Sequence, residues 1–319
     1  MKTDLSNLRN TQIGIFRLEE LIGEGGMGVI YKAEIVADQK YPARNGAKVA
    51  LKIASIIKYA EEFRMILEDE VRILRKIRHP GVVRVYPIGI FKPDQYLARA
   101  SEIEGAPWYF AMELLPSKTL KRTDLSGFSM PWRTELIYQL ALALGYVHGT
   151  RNSHQDFKPD NIMFRSEVSK DKPVPQPVLI DFGLGQQRRE GEKIIEDRRD
   201  RAMSVLYSSP ERIEHMRAER GTAFNYDATK DDVWAFGAVA YEILNGRYMF
   251  EKYVSKDMTN RQMGEVIQTR QPIEMKSEVP KVLQELVLAM LHQNAERRPR
   301  MAQIIQYLET DIEFLPPRI

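Results

Sequence analysis

Cysteine is absent from the 319-residue sequence. The chain therefore has no disulfide framework, no thiolate metal site and no cysteine nucleophile. Its five histidines are scattered and do not form a metal-ligand pattern. No apolar run reaches the roughly 18 residues that a membrane-spanning helix needs, and the N-terminal sequence MKTDLSNLRN is too polar for a signal peptide. These absences predict a soluble protein in the reducing environment of the cytoplasm.

The sequence also lacks an excess of charge of one sign. Its net charge of +3 and pI near 8.8 come from interleaved acidic and basic residues rather than from a basic stretch. We therefore expect no nucleic-acid partner. Hydrophobic residues make up 43% and charged residues 29%, which is ordinary for a globular protein, and the length suffices for one large domain or two lobes.

Strand patterns fill the first part of the chain. Residues 15–36 predict two extended segments joined by a glycine-rich turn, and residues 49–54 predict a third strand. An amphipathic helix is expected at 61–77, followed by strands at 82–90 and 108–115. The sequence therefore predicts a small strand-rich lobe with one helix.

Helical patterns dominate after Pro116. Long apolar-periodic segments lie at 133–148, 231–246, 281–292 and 301–310, which predicts a larger helical lobe. Three polar insertions, at 37–48, 91–107 and 165–177, are expected to be solvated loops. Docking of a regulatory partner on the 165–177 or 37–48 loop is the alternative.

A glycine triplet separates the first two predicted strands. Gly23, Gly25 and Gly28 in GEGGMG fit a tight hairpin, and they also fit a flap whose backbone N–H groups contact phosphates. The sequence VIYKAEIV after Gly28 is rich in β-branched residues and favours a strand. A dinucleotide-binding fold would have a helix there, so that fold is excluded.

Two opposite charges lie in apolar surroundings. Lys52 is inside the strand VALKIA, and Glu70 falls on the apolar stripe of the helix, in register with Leu67 and Leu74. A carboxylate facing the core is costly unless a cation meets it, so the two side chains are candidates for a pair. The alternative is a Glu70 that reaches solvent at the edge of the stripe.

The segment HQDFKPDN at 154–161 concentrates ionisable and amide groups in a loop. Pro159 makes a regular helix improbable between Asp156 and Asn161. Asp181 follows the apolar run VLI and precedes a phenylalanine and a glycine. It is either a turn former or, with Asp156 and Asn161, part of an oxygen-ligand site for a hard cation such as Mg²⁺.

Taken in order, these motifs resemble the signature set of eukaryotic-type protein kinases, and GEGGMG is similar to the form found in the bacterial Ser/Thr branch. The resemblance runs from about Ile15 to Met301. It implies an α+β, bilobal, protein-kinase-like fold with a small β-rich N-lobe plus one helix and a larger, mainly α-helical C-lobe. The implied boundaries are an extension at 1–14, the N-lobe at 15–112, a hinge at 113–116, the C-lobe at 117–312 and a tail at 313–319.

The resemblance also implies roles for single residues. Asp156 would orient the substrate hydroxyl and accept its proton, and Lys158 would neutralise the transferring γ-phosphoryl group. Lys52 would hold the α/β-phosphates of ATP, and Glu70 would orient Lys52. The implied metal ligands for Mg²⁺, with Mn²⁺ as an alternative ion, are Asn161 and Asp181.

Further positions resemble the family's nucleotide-binding residues. The glycine flap over the phosphates corresponds to Gly23, Gly25, Gly26 and Gly28, and the side chains that enclose adenine correspond to Ile22, Ile30, Ala50 and Met163. Met112 matches the residue that guards the back pocket, and the backbone from Glu113 to Leu115 matches the hinge.

The segment SSPERI at 208–213 is similar to the family's A-P-E segment. There Glu211 would pair with Arg298. Asp232 would anchor backbone and Trp234 would lie in the core. These three implied roles are structural rather than catalytic.

The sequence departs from the family pattern at Gln155. The family usually has an arginine there, which binds a phosphate placed on the activation loop. Residues 186–203 contain no Ser, Thr or Tyr, and Ser204 is the first hydroxyl after them. These features predict activity that does not depend on phosphorylation of this loop. Ser204 matches a family residue that contacts Asp156 and Lys158, which favours Ser/Thr over Tyr as acceptor.

The sequence thus predicts a protein serine/threonine kinase that uses ATP and Mg²⁺ and acts on protein substrates. A pseudokinase scaffold is one alternative, and the presence of Lys52, Glu70, Asp156, Asn161 and Asp181 argues against it. A small-molecule kinase of related fold is the other, and the SSPERI segment and Arg298 argue against that.

Overall fold

The computed structural model describes residues 5–25, 28–36, 46–54, 60–88, 94–182, 205–217 and 227–310. These residues group into two units. Unit 1 takes the described residues through Arg78, together with those of Val82–Leu115 and Phe182. Unit 2 takes His79–Gly81, Pro116–Asp181 and the described residues from Val205 onward. The boundaries implied by the resemblance, including the hinge at 113–116, stay predictions.

Unit 1 is built on one antiparallel sheet. Its strands run in the order β1-β2-β3-β4-β7-β5, with β6 paired to β7. They are β1 (Gln12–Ile13), β2 (Phe16–Gly25), β3 (Gly28–Ile35), β4 (Lys48–Ala54), β5 (Val85–Tyr86), β6 (Ala98–Arg99) and β7 (Trp108–Glu113). Helix α1 (Ala60–Leu74) belongs to the same unit. The three predicted strands at 15–54 and the predicted helix are therefore confirmed.

The two faces of this sheet differ in chemistry because side chains alternate along each strand. One face carries the apolar core of the unit, to which β3 contributes Val29, Tyr31, Ala33 and Ile35. On the other face, the register aligns Ile30 with Lys52 and Lys52 with Phe110. The sheet thus separates an apolar face from a face that carries a charged lysine.

The chain before β2 and the segment before β7 both pack onto the apolar face. Leu5 and Ile13 belong to the core, and the Tyr31 hydroxyl donates to the carbonyl of Leu5 at 2.8 Å. Ala100 and Ile103 are buried in the same core. The prediction of a solvated loop is therefore wrong for residues 94–107, because their apolar side chains cover the sheet.

The outcome differs for the other two predicted loops, at 165–177 and 37–48. Residues 165–176 join two paired strands, and all of them except Pro175 are exposed or of intermediate exposure, which fits the predicted loop. In the 37–48 insertion, residues 37–45 lie outside the described part of the chain.

Unit 2 is mainly helical. Its two paired strands are β8 (Ile162–Phe164) and β9 (Pro177–Leu179). Its helices are α2 (Met130–Gly149), α3 (Pro210–Arg217), α4 (Ala228–Asn245), α5 (Asn260–Thr269), α6 (Lys281–Met290) and α7 (Met301–Thr310). Helix α4 is buried along most of its length, as expected for a helix that is apolar on nearly all sides. The predicted fold class, a strand-rich lobe with one helix followed by a larger helical lobe, is confirmed.

No helix within the described ranges combines the length and apolar character that crossing a membrane would require.

Candidate active site

The charged residues of unit 1 form a buried ion pair. Lys52 Nζ lies 2.8 Å from Glu70 Oε2 and 3.1 Å from Oε1, and the two residues are only 6% and 1% exposed. The apolar stripe of α1 carries Glu70 inward with Leu67 and Leu74, so the alternative of a solvent-exposed Glu70 is wrong. Lys52 also lies 5.7 Å from the centre of the Phe110 ring, a distance at which a cation and an aromatic face attract each other. The pair fixes the lysine on the charged face of the sheet.

The glycine-rich turn has a structural requirement at Gly28. Its φ is 143°, and a Cβ atom there would lie 2.1 Å from the carbonyl oxygen of Ile53. Gly23 is under no such constraint, because a Cβ would meet Ile30 at an ordinary 3.6 Å. Gly25 pairs with Gly28 at the end of the two strands. Gly26 lies outside the described residues, so the phosphate-binding role of the turn stays a prediction.

The predicted adenine contacts of unit 1 lie along the same charged face. Ala50 pairs with Met112 in the sheet, next to the pair formed by Lys52 and Phe110. Ile22, at an irregularity of β2, is 45% exposed although it is large and apolar. An exposed isoleucine beside a polar face suits contact with a planar ligand.

The predicted hinge follows β7. The backbone N–H of Glu113 donates to Arg84 O at 2.8 Å. Among the described residues, no hydrogen bond is made by the backbone of Leu115. Leu115 could therefore use its backbone N–H and C=O groups to bind a ligand edge.

In unit 2, two side chains converge on Asp156. Lys158 Nζ and Asn161 Nδ2 donate to Asp156 Oδ2 at 2.8 and 2.9 Å. Asn161 Nδ2 also donates to the backbone oxygen of Asp156 at 2.9 Å. A 3₁₀ turn at Pro159–Asn161 brings the asparagine back toward the aspartate and leads into β8, which contains Met163. The carboxylate is therefore buried and held in one orientation by these two side chains.

Asp232 fixes the backbone that leads to Asp156. Its carboxylate accepts the N–H groups of His154 and Gln155, each at 2.7 Å, and contacts His148 Nε2 at 2.8 Å. The predicted role of Asp232 as a backbone anchor is confirmed. It sits on α4, so the buried helix holds the loop rigidly.

The buried His154 ties this loop to the segment after β9. Burial lowers the pKa of His154, although the carboxylates of Asp232, Asp156 and Asp181 favour its charged form. Its Nδ1 accepts the N–H of Asp156 at 3.3 Å, so the neutral ring carries its hydrogen on Nε2 and donates to Ile180 O at 3.2 Å.

Asn161 and Asp181 lie at neighbouring ends of the β8–β9 hairpin. The N–H of Ile180 donates to Asn161 O at 3.0 Å, which places Asp181 one residue beyond this bond. Because Asn161 turns its NH₂ group to Asp156, its Oδ1 points away from that carboxylate. A carboxylate and an amide oxygen are ligands that suit Mg²⁺, which usually takes its remaining ligands from water and phosphate. Within the described ranges, no three His, Cys, Asp or Glu side chains could hold a metal ion together.

Two non-glycine residues of this region have left-handed backbone conformations. The φ angles of Gln155 and Asp181 are 59° and 61°. Such a conformation costs about 1–2 kcal/mol for an L-residue, and it persists where the surrounding contacts over-determine it. Residues of this kind occur often at functional sites. The strain therefore falls on the residue before Asp156 and on the proposed metal ligand.

Outside the loop, Arg298 donates to Glu211 at 2.6 and 2.8 Å, which confirms the predicted ion pair. Trp234 is fully buried, as predicted for a core residue. Ser204 lies outside the described residues, so its predicted contacts with Asp156 and Lys158 stay predictions.

Sequence patterns do not reveal Arg212 and Asp231, which form a partly buried pair next to Gln155. The only sequence signal was the doubled aspartate of KDDVWAFG.

Comparison with known proteins identifies the family. A model described as the protein kinase domain matches residues 16–308. The serine/threonine-protein kinase pkn2 of Myxococcus xanthus is 26% identical over 91% of this chain and 31% of its own length. Mitogen-activated protein kinase 16 of Arabidopsis thaliana is 27% identical over 74% of this chain and 36% of its own length. The serine/threonine-protein kinase dkf-2 of Caenorhabditis briggsae is 28% identical over 73% of this chain and 17% of its own length.

The alignments thus cover 36% or less of the length of each of these relatives, and most of this chain. The matched family model takes in both the Lys52–Glu70 pair and the Asp156 loop. The chain belongs to the protein kinase domain family.

Proposed function

We propose that the chain is a protein serine/threonine kinase that transfers the γ-phosphoryl group of ATP to hydroxyl groups of protein substrates. The observation that carries this proposal is the arrangement at Asp156. One carboxylate oxygen is held by Lys158 and Asn161, on a loop whose backbone is bound to Asp232. Phosphoryl transfer requires mainly positioning and charge neutralisation, and this loop offers both.

The residues of unit 2 would act on the acceptor and the γ-phosphate. Asp156 would orient the acceptor hydroxyl and take its proton, and Lys158 would neutralise charge on the transferring group. Asn161 and Asp181 would hold the divalent ion. Mg²⁺, or Mn²⁺ in its place, would neutralise the phosphate oxygens when bound.

The residues of unit 1 would bind the rest of ATP. Lys52 is the proposed ligand of the α/β-phosphates, and the ion pair with Glu70 holds its ammonium group in place. The glycines at 23, 25, 26 and 28 would contribute backbone N–H groups. Adenine would lie against Ile22, Ile30, Ala50 and Met163, with Met112 behind it and its edge bound to the backbone of Glu113 to Leu115.

Serine and threonine are the proposed acceptors. Two of the relatives are named serine/threonine-protein kinases. Lys158, two residues after Asp156, and Ser204 support the same choice. The absence of cysteine supports a cytoplasmic location. A regulatory partner at the 37–48 or 165–177 loop stays a prediction.

We further propose that activity does not depend on phosphorylation of the activation loop, the segment between Asp181 and Ser208. Residues 186–203 of this segment have no hydroxyl side chain, and Gln155 offers no cation for a phosphate. Treatment with a phosphatase should therefore leave the rate unchanged. Mass spectrometry can locate any phosphate between Asp181 and Ser208. A phosphate there whose removal abolishes kinase activity would contradict the proposal.

The decisive experiment incubates the protein with labelled ATP and Mg²⁺ and scores label on the protein itself, on a generic basic protein and on small metabolites. Label on serine or threonine of the protein substrate is expected. Asp156→Asn should lower the rate at least about a hundredfold without lowering the melting temperature, because the side chain keeps its size and its acceptor for Asn161. Asp171→Asn, on an exposed loop, is the control.

Two other outcomes would identify the alternatives. Label on small metabolites alone would indicate a small-molecule kinase. Binding of ATP without transfer to any acceptor would indicate a pseudokinase scaffold.

A further inference from the structure

The peptide groups that precede Asp156 are each bound to a charged side chain. The backbone N–H groups of His154 and Gln155 donate to the carboxylate of Asp232. The next peptide group, between Gln155 and Asp156, presents its carbonyl oxygen to Arg212 Nη1. Since Gln155 is in the left-handed conformation, the direction of this carbonyl depends on contacts that hold it there.

Arg212 is itself held by a buried carboxylate. Its Nη1 donates to Asp231 Oδ2 at 2.7 Å, and the two side chains are 13% and 2% exposed. Asp231 Oδ1 accepts the N–H of Ser209 at 3.0 Å, immediately before α3. One carboxylate thus fixes both the start of α3 and the guanidinium group that this helix carries on its first turn.

The adjacent residues Asp231 and Asp232 therefore act on the two sides of Gln155. Asp232 binds its N–H directly, and Asp231 binds its carbonyl through Arg212. A carbonyl dipole directed at a cation in a poorly solvated site is strongly stabilised. The cation is neutralised within the protein, so the arrangement requires no added anion.

We propose that Arg212, paired with Asp231, is a positioning residue that sets the orientation of Asp156 by holding the Gln155 carbonyl. This inference rests on the proposed kinase function and deepens it, because it assigns the ordering of the loop to a permanent internal ion pair. Arg212 acts on the peptide group whose nitrogen belongs to Asp156, through its bond to the Gln155 carbonyl.

The first test compares Arg212→Met with Arg217→Met in steady-state kinetics. Arg217 lies on the same helix and also donates to a backbone carbonyl, that of Arg261, at 2.7 Å, so it is a matched control. Arg212→Met should lower kcat by about ten- to a hundredfold with little change in the KM for ATP, because an ångström of misplacement suffices for such a loss. Arg217→Met should leave kcat unchanged.

A double variant separates positioning from a purely structural role. Arg212→Met alone leaves the Asp231 carboxylate buried without its cation, whereas Arg212→Met/Asp231→Asn removes that charge and keeps an acceptor for Ser209. The melting temperature should therefore recover in the double variant while kcat stays low. Recovery of kcat together with the melting temperature would overturn the proposal.

Hydrogen exchange tests the inference without reference to activity. Amides of residues 153–157 should exchange faster in Arg212→Met than in the wild type and in Arg217→Met. Unchanged exchange there would overturn the inference even if the wild type is an active kinase. If exchange is faster but the wild type transfers no phosphate to any protein, the proposed function fails instead.

Discussion

At the scale of single residues, burial makes the Lys52–Glu70 pair a stability element as well as a proposed part of the nucleotide site. Both charges are almost fully withdrawn from water. Each one is tolerable only because the other is there, since an isolated charge in such surroundings is strongly unfavourable. Loss of Lys52 should therefore have two separable consequences, one for the fold and one for phosphate transfer.

We predict that Lys52→Met lowers the free energy of unfolding by about 3–5 kcal/mol, because it leaves Glu70 buried and unpaired. Lys52→Met/Glu70→Met should regain most of that stability and still transfer no phosphate. Urea denaturation and the labelled-ATP assay measure the two effects. Arg64→Met breaks an ion pair with Glu68 on the more exposed side of the same helix and should cost less than about 1 kcal/mol. Equal losses in Lys52→Met and Arg64→Met would contradict the argument.

The candidate residues could be predicted from the sequence to different degrees. The burial of Glu70 can be predicted from the sequence, because a carboxylate on an apolar helical stripe indicates a buried partner. Arg212 was not, because a charged residue in PERIEHMR is by default a solvated one, and only the fold shows that Asp231 and the Gln155 carbonyl surround it. The left-handed conformation of Gln155 is likewise a product of its contacts and has no signal in the residue type.

At the scale of secondary-structure elements, periodicity decided which segments were predictable. Helices α2 and α4 are long and apolar enough for their pattern to be plain. Helix α3 buries only Pro210 and Ile213 in eight residues, and α5 has only three large apolar residues, Met263, Val266 and Ile267, in ten, so their apolar faces are short. Strands β1 and β6 have two residues each and exist through their pairing with neighbours. Short elements of this kind depend on tertiary contacts that sequence patterns do not contain.

Arg298 joins several elements of unit 2. Its side chain is fully buried, with two bonds to Glu211 on α3 and further bonds to the carbonyls of His292, Lys230 and Gln293. Only a guanidinium group has enough donors in a fixed plane to satisfy all these acceptors. An ammonium group would leave several of them unpaired in a buried site.

We therefore predict that Arg298→Lys destabilises unit 2 by about 3 kcal/mol or more, although the charge is conserved. Arg297→Lys, at the preceding exposed position, should change stability by less than about 0.5 kcal/mol. Thermal unfolding of the two variants gives the comparison. A conserved melting temperature in Arg298→Lys would show that the bond network is dispensable.

At the scale of the whole molecule, the folded part extends beyond the span of the family model. That model begins at residue 16, whereas the core of unit 1 includes Leu5 and Ile13. Polar contacts with side chains help to hold this N-terminal segment in place. Leu8 N–H donates to the Tyr31 hydroxyl at 3.0 Å, and Gly14 N–H donates to Glu102 Oε1 at 3.0 Å. Residues 5–14 and 94–107 thus add a layer to the apolar core of unit 1, partly through the short strands β1 and β6 at the sheet, which the family pattern alone did not predict.

Because this layer belongs to unit 1, a change in it should destabilise unit 1 more than unit 2. Ile13 is fully buried, and Ile13→Ala should lower the stability of unit 1 by about 2–5 kcal/mol through lost burial and the cavity left behind. Hydrogen exchange followed by mass spectrometry measures where the protein opens. Peptides from β2 and β3 should lose protection in Ile13→Ala, whereas peptides from α4 should keep theirs, because α4 belongs to the other unit. Arg9→Ala, an exposed change in the same segment, should alter the protection of neither group of peptides.

Equal loss of protection in both units would mean that they unfold as one cooperative body. Full retention of protection in β2 and β3 would mean that the layer contributes nothing to the stability of the sheet.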